Sequence, residues 1–314
     1  MRGVRPASID WIVPPAVRAG DVVGVCAPSG PIRPARFDRG LALLAPHLRL
    51  TMGDDVRADA GYLAGDDRRR ADELTRLLRD PDVRAILVAR GGYGITRMLG
   101  DVDPAWLRAD PKPIVAFSDG TALLAWAALA GVRAIHGPVV SQLGDLPEDD
   151  VRALVRAVTD PRPAGTVAQL APLVDAAPIA GALVPANLKM LAHQIATPWQ
   201  IDPADAVLLL EEVGEKPYAI DRDLTQLALA GLLTPRAVVL GDLTRCTEPA
   251  SAPGMVDDAG PARAVVAERL AAYRVPAWRG APVGHGARNL ALPMGARVEI
   301  DATGRFAVLD AAVR

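Results

Sequence analysis

Three sets of residues in this sequence carry groups of the kind that cooperate in acyl transfer. The first, PIVAFSDGTA (residues 113–122), is an apolar run that ends abruptly in Phe117-Ser118-Asp119-Gly120. A serine hydroxyl is a weak nucleophile until a base takes its proton, and it must stand clear of the backbone to reach a carbonyl carbon. A sharp strand-to-helix turn meets the second condition, and it aims the following backbone N–H at a developing oxyanion. The same position also suits a serine or aspartate that simply caps a helix. Because the stretch lacks the full GxSxG pattern, local sequence alone favours the cap.

The second stretch is RGGYG, Arg90 to Gly94. Paired glycines let a backbone approach a ligand closely and present N–H groups to an anion, so Gly91 and Gly92 are oxyanion candidates. No GK[ST] follows, which excludes a Walker loop and leaves a plain tight turn as the alternative. The third is formed by LLLEEVGE and PVGHGARN, holding Glu211, Glu212 and His285. A catalytic histidine needs a carboxylate to fix its orientation, and Glu211 or Glu212 could serve, but at most one of them, because strand alternation sends the two to opposite faces. Glycines on both sides of His285 leave the imidazole unshielded, a setting shared by surface-loop histidines. The chain order is serine, carboxylate, histidine.

The elements that must position these groups follow a βαβ rhythm. DVVGVCAPSG, RAILVARGGYG and PIVAFSDG each read as a buried strand ending in a turn, with ARFDRGLALLAPHL, RADELTRLLRD and TALLAWAALAG as helices beside them. This pattern predicts a parallel sheet with helices on both faces, whose ligand crevice lies at the carboxyl ends of the strands. Acidic and then proline- and alanine-rich sequence follows, with no sustained strand signal after its first helix. The expected organisation is an N-terminal domain over 1–145, a connection over 146–178 and a C-terminal domain over 179–314.

Composition narrows the function classes. With 314 residues, half of them hydrophobic and 23% charged, the chain is long enough for a large core and about two domains. A net charge of −2 supplies no field that would draw it to nucleic acid or anionic lipid, so a small molecule or peptide is the expected partner. Two cysteines and four scattered histidines offer neither a disulfide framework nor metal-ligand spacing, so metal-free chemistry is expected. The N-terminus has no uninterrupted apolar run, and no stretch reaches the roughly 18 apolar residues of a membrane span, which places the chain in the cytoplasm.

Taken together, GDVVGVCAPSGPI, LVARGGYGITRML, IVAFSDGTALLAW, IHGPV, LLLEEVGEKPYAIDRDL, VVLGDLTRC and PVGHGARNLALPMG resemble the LD-carboxypeptidase family of serine peptidases. That family includes the muramoyltetrapeptide carboxypeptidases and the microcin C immunity peptidases. The segments occur in family order, from about residue 20 to about residue 300. The resemblance implies a Rossmann-like N-terminal domain with a parallel sheet, a smaller C-terminal α/β domain, a homodimer and no cofactor. It implies Ser118 as nucleophile, His285 as base and Glu211 as the orienting carboxylate, with Asp119 and Gly91 or Gly92 supplying oxyanion N–H groups. The implied reaction cleaves the amide between the L-centre of meso-diaminopimelate or L-Lys and a terminal D-Ala in murein tetrapeptides.

Two departures stand out. Pro185-Ala186-Asn187-Leu188 replaces a Gly-Gly-Asn-Leu stretch, with Asn187 expected to keep a substrate contact, and Ala116-Phe117 replaces Gly-Tyr before the serine. A carboxypeptidase must also neutralise its substrate's terminal carboxylate, and a bidentate arginine is the usual physical solution. Arg90 and Arg222 are candidates by position. The alternative readings are a microcin-C-type amidase cleaving an aminoacyl-nucleotide analogue and a non-catalytic ligand-binding protein on the same scaffold.

Overall fold

The computed structural model describes residues 3–247 and 259–314 and divides into two compact units. One comprises residues 9–163 together with 290–294 and 310–314; the other comprises residues 3–8, 164–289 and 295–309. In chain order the elements are β1 (Val22–Cys26), α1 (Pro34–Leu44), β2 (Arg49–Thr51), α2 (Asp67–Arg79), β3 (Val83–Val88), α3 (Ile95–Met98), α4 (Ala105–Ala109), β4 (Ile114–Ala116), α5 (Thr121–Leu129), β5 (Ile135–His136) and α6 (Glu148–Thr159). They continue with β6 (Gly165–Gln169), β7 (Ala171–Val174), β8 (Ile179–Asn187), α7 (Leu188–His193), β9 (Ala206–Val213), α8 (Pro217–Leu229), β10 (Ala237–Thr244), α9 (Gly260–Ala272), β11 (Ala277–Arg279), β12 (Leu292–Pro293), β13 (Arg297–Ile300) and β14 (Arg305–Val308).

The first unit is the expected Rossmann-like α/β layer structure. Its sheet runs β12-β5-β4-β3-β1-β2, parallel throughout except for β12, which pairs antiparallel with β5. β1, β3 and β4 are apolar runs because a parallel sheet covered on both faces has no wet side. α5 is apolar all round and buried from Thr121 to Ala128, the signature of a helix enclosed by protein. The buried ammonium of Lys112 donates to the carbonyls of Leu77, Leu78 and Asp80, closing the C-terminal end of α2; burial lowers its pKa.

The second unit carries a mixed sheet in the order β6-β14-β13-β8-β9-β10-β11-β7, with β8 to β11 parallel. Its composition differs from the expected 146–178 connection. α6 belongs to the first unit, while β6 and β7 occupy opposite edges of the second sheet. The single run from Gly165 to Val174 pairs through its first half with β14 and through its second half with β11, so one chain segment joins the two edges. These strands escape sequence reading because they are half-exposed edges, alternating without a sustained apolar run and interrupted by Pro172. Likewise, 290–294 and 310–314 return to the first unit, where β12 completes the parallel sheet.

Candidate active site

Ser118 lies where β4 gives way to α5. Phe117 is extended (φ −158°), Ser118 turns to φ 63°, and a single 3₁₀ turn over Ser118–Gly120 leads into the helix. A left-handed conformation costs a non-glycine residue about 1–2 kcal/mol, so it persists only where the surroundings enforce it. Between Lys112 and Ala128, Ser118 alone is not buried. Gly120 explains how so tight a turn fits: a Cβ there would sit 2.7 Å from the Ala116 Cβ. Positions 116 and 120 are the two glycine positions of GxSxG, and they face one another, so one alanine is accommodated provided the other residue stays glycine.

The RGGYG turn packs against this serine. A Cβ on Gly91 would lie 3.0 Å from the Ser118 Cβ and 3.2 Å from its Oγ, so the bare backbone of Gly91 borders the hydroxyl. Gly92 (φ 125°) would meet Gly30 of the turn after β1, and the Gly30 N–H donates to the Gly91 carbonyl at 3.3 Å. Asp119 ties the turns together. Its buried carboxylate accepts from Ser29 Oγ at 2.6 Å and from the Ile95 N–H at 3.1 Å, while burial, opposed by these bonds, raises its pKa. The wholly buried Arg70 does the same from the other side, donating to the carbonyls of Pro28 and Gly94 at 2.7 Å each and pairing with Asp67. Ser29 and Arg70 were not singled out by sequence, since one arginine within Arg68-Arg69-Arg70 reads as part of a solvated face.

In the second unit, Glu211 is fully buried near the end of β9, and its Oε2 accepts from Nδ1 of His285 at 2.7 Å. A carboxylate only accepts, so in this bond Nδ1 is the donor and Nε2 is the ring nitrogen that does not face Glu211. The adjacent Glu212 has different partners. It accepts from the Val213 and Lys189 N–H groups at 2.8 Å each and from Asn187 Nδ2 at 3.1 Å. Burial outweighs these three bonds and lifts its pKa to about 7. Glu211 is therefore the carboxylate at the imidazole, and Glu212 anchors the start of α7. Asn187, expected at the substrate, caps that helix, with its Oδ1 accepting from the Met190 N–H at 3.1 Å.

The glycines around His285 have a packing reason. The loop lies on β10 at its Leu240–Leu243 bulge: a Cβ on Gly286 would fall 1.7 Å from Asp242 Oδ2, and one on Gly284 2.7 Å from the Asp242 Cβ. The Asp242 N–H donates to the Val283 carbonyl at 2.9 Å, and the Gly284 N–H to Oδ1 of buried Asn289 at 3.3 Å. Of the two arginines expected as carboxylate clamps, Arg90 donates to the Pro31 carbonyl, and Arg222 on α8 lies 5.8 Å from the Tyr218 ring centre. Among the described residues, no cluster of three or more His, Cys, Asp or Glu side chains could hold a metal, and no helix is long and apolar enough to cross a membrane.

Comparison with known proteins supplies the context for these two sets of residues. Residues 23–137 match the LD-carboxypeptidase N-terminal domain and residues 180–300 the LD-carboxypeptidase C-terminal domain. The "Probable murein peptide carboxypeptidase" of Bacillus subtilis is 33% identical over 96% of this chain and 95% of its own length. The murein tetrapeptide carboxypeptidase of Pseudomonas aeruginosa is 32% identical over 87% of this chain and 91% of its own length. The fold is shared with the microcin C7 self-immunity protein MccF in its wild-type apo state, with a TM-score of 0.83 over 96% of this chain and 100% of that one at 20% identity. With both halves of the pattern matched and relatives alike over nearly their full length, this chain belongs to the LD-carboxypeptidase family of peptidases.

Proposed function

We propose that this protein is a serine-type LD-carboxypeptidase that releases the terminal D-Ala from murein tetrapeptides, cutting the amide on the L-centre of meso-diaminopimelate or L-Lys. The observation that carries this reading is the 2.7 Å bond between Glu211 Oε2 and His285 Nδ1, which orients the imidazole with Nε2 as the nitrogen for the base role. Simple ligand binding would require no such pair. The turn at Ser118, with its positive φ, supports the same reading.

In this mechanism the Ser118 Oγ attacks the scissile carbonyl carbon while His285 Nε2 takes the hydroxyl proton. Glu211 holds the ring and stabilises the imidazolium that forms. Backbone N–H groups of Asp119 and of the Gly91-Gly92 turn receive the oxyanion. Collapse of the tetrahedral intermediate breaks the amide, and His285 returns the proton to the departing amine of D-Ala. Water, deprotonated by the same histidine, then frees the acyl-enzyme. The steps need neither metal nor cofactor.

The test is incubation of the purified protein with a murein tetrapeptide and, in parallel, with a processed microcin C analogue, following the released products by mass spectrometry. The expected outcome is D-Ala from the tetrapeptide. Release of the nucleotide alone would move the assignment to an immunity amidase, and turnover of neither would leave a binding protein.

A further inference from the structure

Of the arginines expected as the clamp for a substrate's terminal carboxylate, Arg90 already donates to the Pro31 carbonyl and Arg222 lies beside the Tyr218 ring. A different set of arginines meets in one place. At the carboxyl ends of β10 and β11, a cavity of about 290 Å³ is lined by Arg263, Arg279 and Arg288 together with Asp242, Val283 and Ala287. Each arginine comes from a different segment: the first turn of α9, the last residue of β11, and the loop beyond His285. Among the described residues the lining holds three arginines and one carboxylate, Asp242, which accepts from Thr244 Oγ1 at 2.9 Å. These side chains together carry a net positive formal charge.

We propose that this cavity is the subsite that receives the free carboxylate of the substrate's terminal residue, with Arg279 as its principal residue. The proposal rests on the carboxypeptidase reading above and completes it with a specificity determinant. In a terminal amino acid the amine that leaves and the carboxylate are separated by one carbon. The group that holds the carboxylate must therefore lie within a few ångströms of the histidine that protonates the amine. Val283 and Ala287, which stand two residues before and two residues after His285, both form part of the cavity wall. The volume is at the small end for a ligand site, suited to one small residue rather than a nucleotide. Arg279 is held by strand pairing on both sides, to Leu240 of β10 and Ala171 of β7, so its fork starts from a rigid base. That rigidity favours bidentate recognition of a planar carboxylate.

The test compares the tetrapeptide ending in D-Ala with the same peptide ending in D-alaninamide, for the native protein and for R279A, R279K and R288A. R279A is expected to raise KM for the free acid about 10- to 100-fold, the effect of losing a charge-assisted hydrogen-bond pair, and to leave turnover of the amide within about twofold of native. R279K should recover part of the loss, and R288A should show a smaller effect of the same selectivity. Equal losses on acid and amide would overturn the subsite while leaving the peptidase intact. Calorimetric binding of D-alanine and D-alaninamide to the same proteins separates the two readings. If the native chain cleaves neither peptide, the peptidase assignment fails. The subsite then stands on Arg279-dependent binding of D-alanine in preference to its amide, and falls without it.

Discussion

The proposed nucleophile, Ser118, and the proposed base, His285, are positioned by opposite means. Ser118 is placed by backbone: a left-handed φ of 63°, a glycine at 91 whose missing Cβ makes room for the hydroxyl, and a glycine at 120 that fits against Ala116. His285 is placed by a side chain, the buried carboxylate of Glu211, on a loop seated over Asp242. The difference follows from reach. A serine oxygen lies one bond beyond Cβ, so the turn fixes it to within a rotamer, whereas an imidazole swings about two torsions and needs a partner on one nitrogen to select both rotamer and tautomer. Removal of charge should therefore break the base side and leave the serine turn intact, while the close glycine contacts make both sides sensitive to added atoms.

The largest effects test whether the two sides form one machine. S118A and H285A should each lower kcat for D-Ala release by about 10⁵- to 10⁶-fold, and combining them should cost little more, because residues acting as a unit are not additive. Additive losses would separate Ser118 from His285. E211Q probes the base side alone. It nearly preserves shape but allows an amide N–H to face Nδ1, which selects the wrong tautomer, and kcat should fall about 10⁴-fold with little change in melting temperature. Near-native turnover in E211Q would break the contrast drawn above.

Steric additions come next. Gly91 and Gly286 both lack a positive φ, so alanine is tolerated by the backbone and the added methyl acts only through contact. In G91A the methyl would press on the Ser118 side chain at 3.0–3.2 Å, and a displaced nucleophile is expected to lose roughly 10- to 100-fold in kcat. In G286A the methyl would collide with Asp242, moving the His285 loop by a comparable or larger amount. The double variant G286A/D242A removes the colliding carboxylate and should regain most of the lost turnover, as a double-mutant cycle would record. Equal kcat for the single and double variants would mean that Asp242 does not set the loop position.

The same contrast explains what the sequence makes legible. The two stretches proposed as catalytic are visible because a strand-turn-helix junction at Ser118 and a glycine-flanked histidine are local patterns, and β1, β3, β4, β9 and β10 announce themselves as apolar runs. What stays hidden is whatever depends on contacts distant in sequence. Arg70 reads as surface charge until Pro28 and Gly94 close over it. The glycines beside His285 read as a means of exposure until Asp242 is seen beneath them. Asn187 gives no local sign of a capping role until its amide is found bridging Glu212 and the start of α7. The edge strands β6 and β7 carry too little burial to leave an apolar signature.

The smallest expected effect concerns the glutamate that does not touch the histidine. Glu212 is buried with its pKa raised to about 7 from an ordinary 4.5, chiefly because burial disfavours its charge. The folded chain therefore holds a proton on this carboxyl that the unfolded chain has already released between about pH 4.5 and pH 7. Stability contributed by the group is fully present below that window and is lost as pH rises through it, by up to roughly 3 kcal/mol, and the curve is level above it. E212Q carries no titrating proton, so its stability should be flat where the native curve descends. It should fall below native at pH 5 by no more than the about 1–3 kcal/mol of an imperfectly satisfied donor among Asn187, Lys189 and Val213. Asp119, Glu73 and Asp223, all raised by burial in the same direction, remain in both proteins and cancel in the difference. Urea midpoints from pH 5 to pH 8 make the measurement: converging curves locate the titration at Glu212, and parallel curves place it elsewhere. Since Glu212 is bonded to Asn187, Lys189 and Val213 rather than to His285, E212Q should alter kcat far less than E211Q, although the two carboxylates are neighbours in the chain.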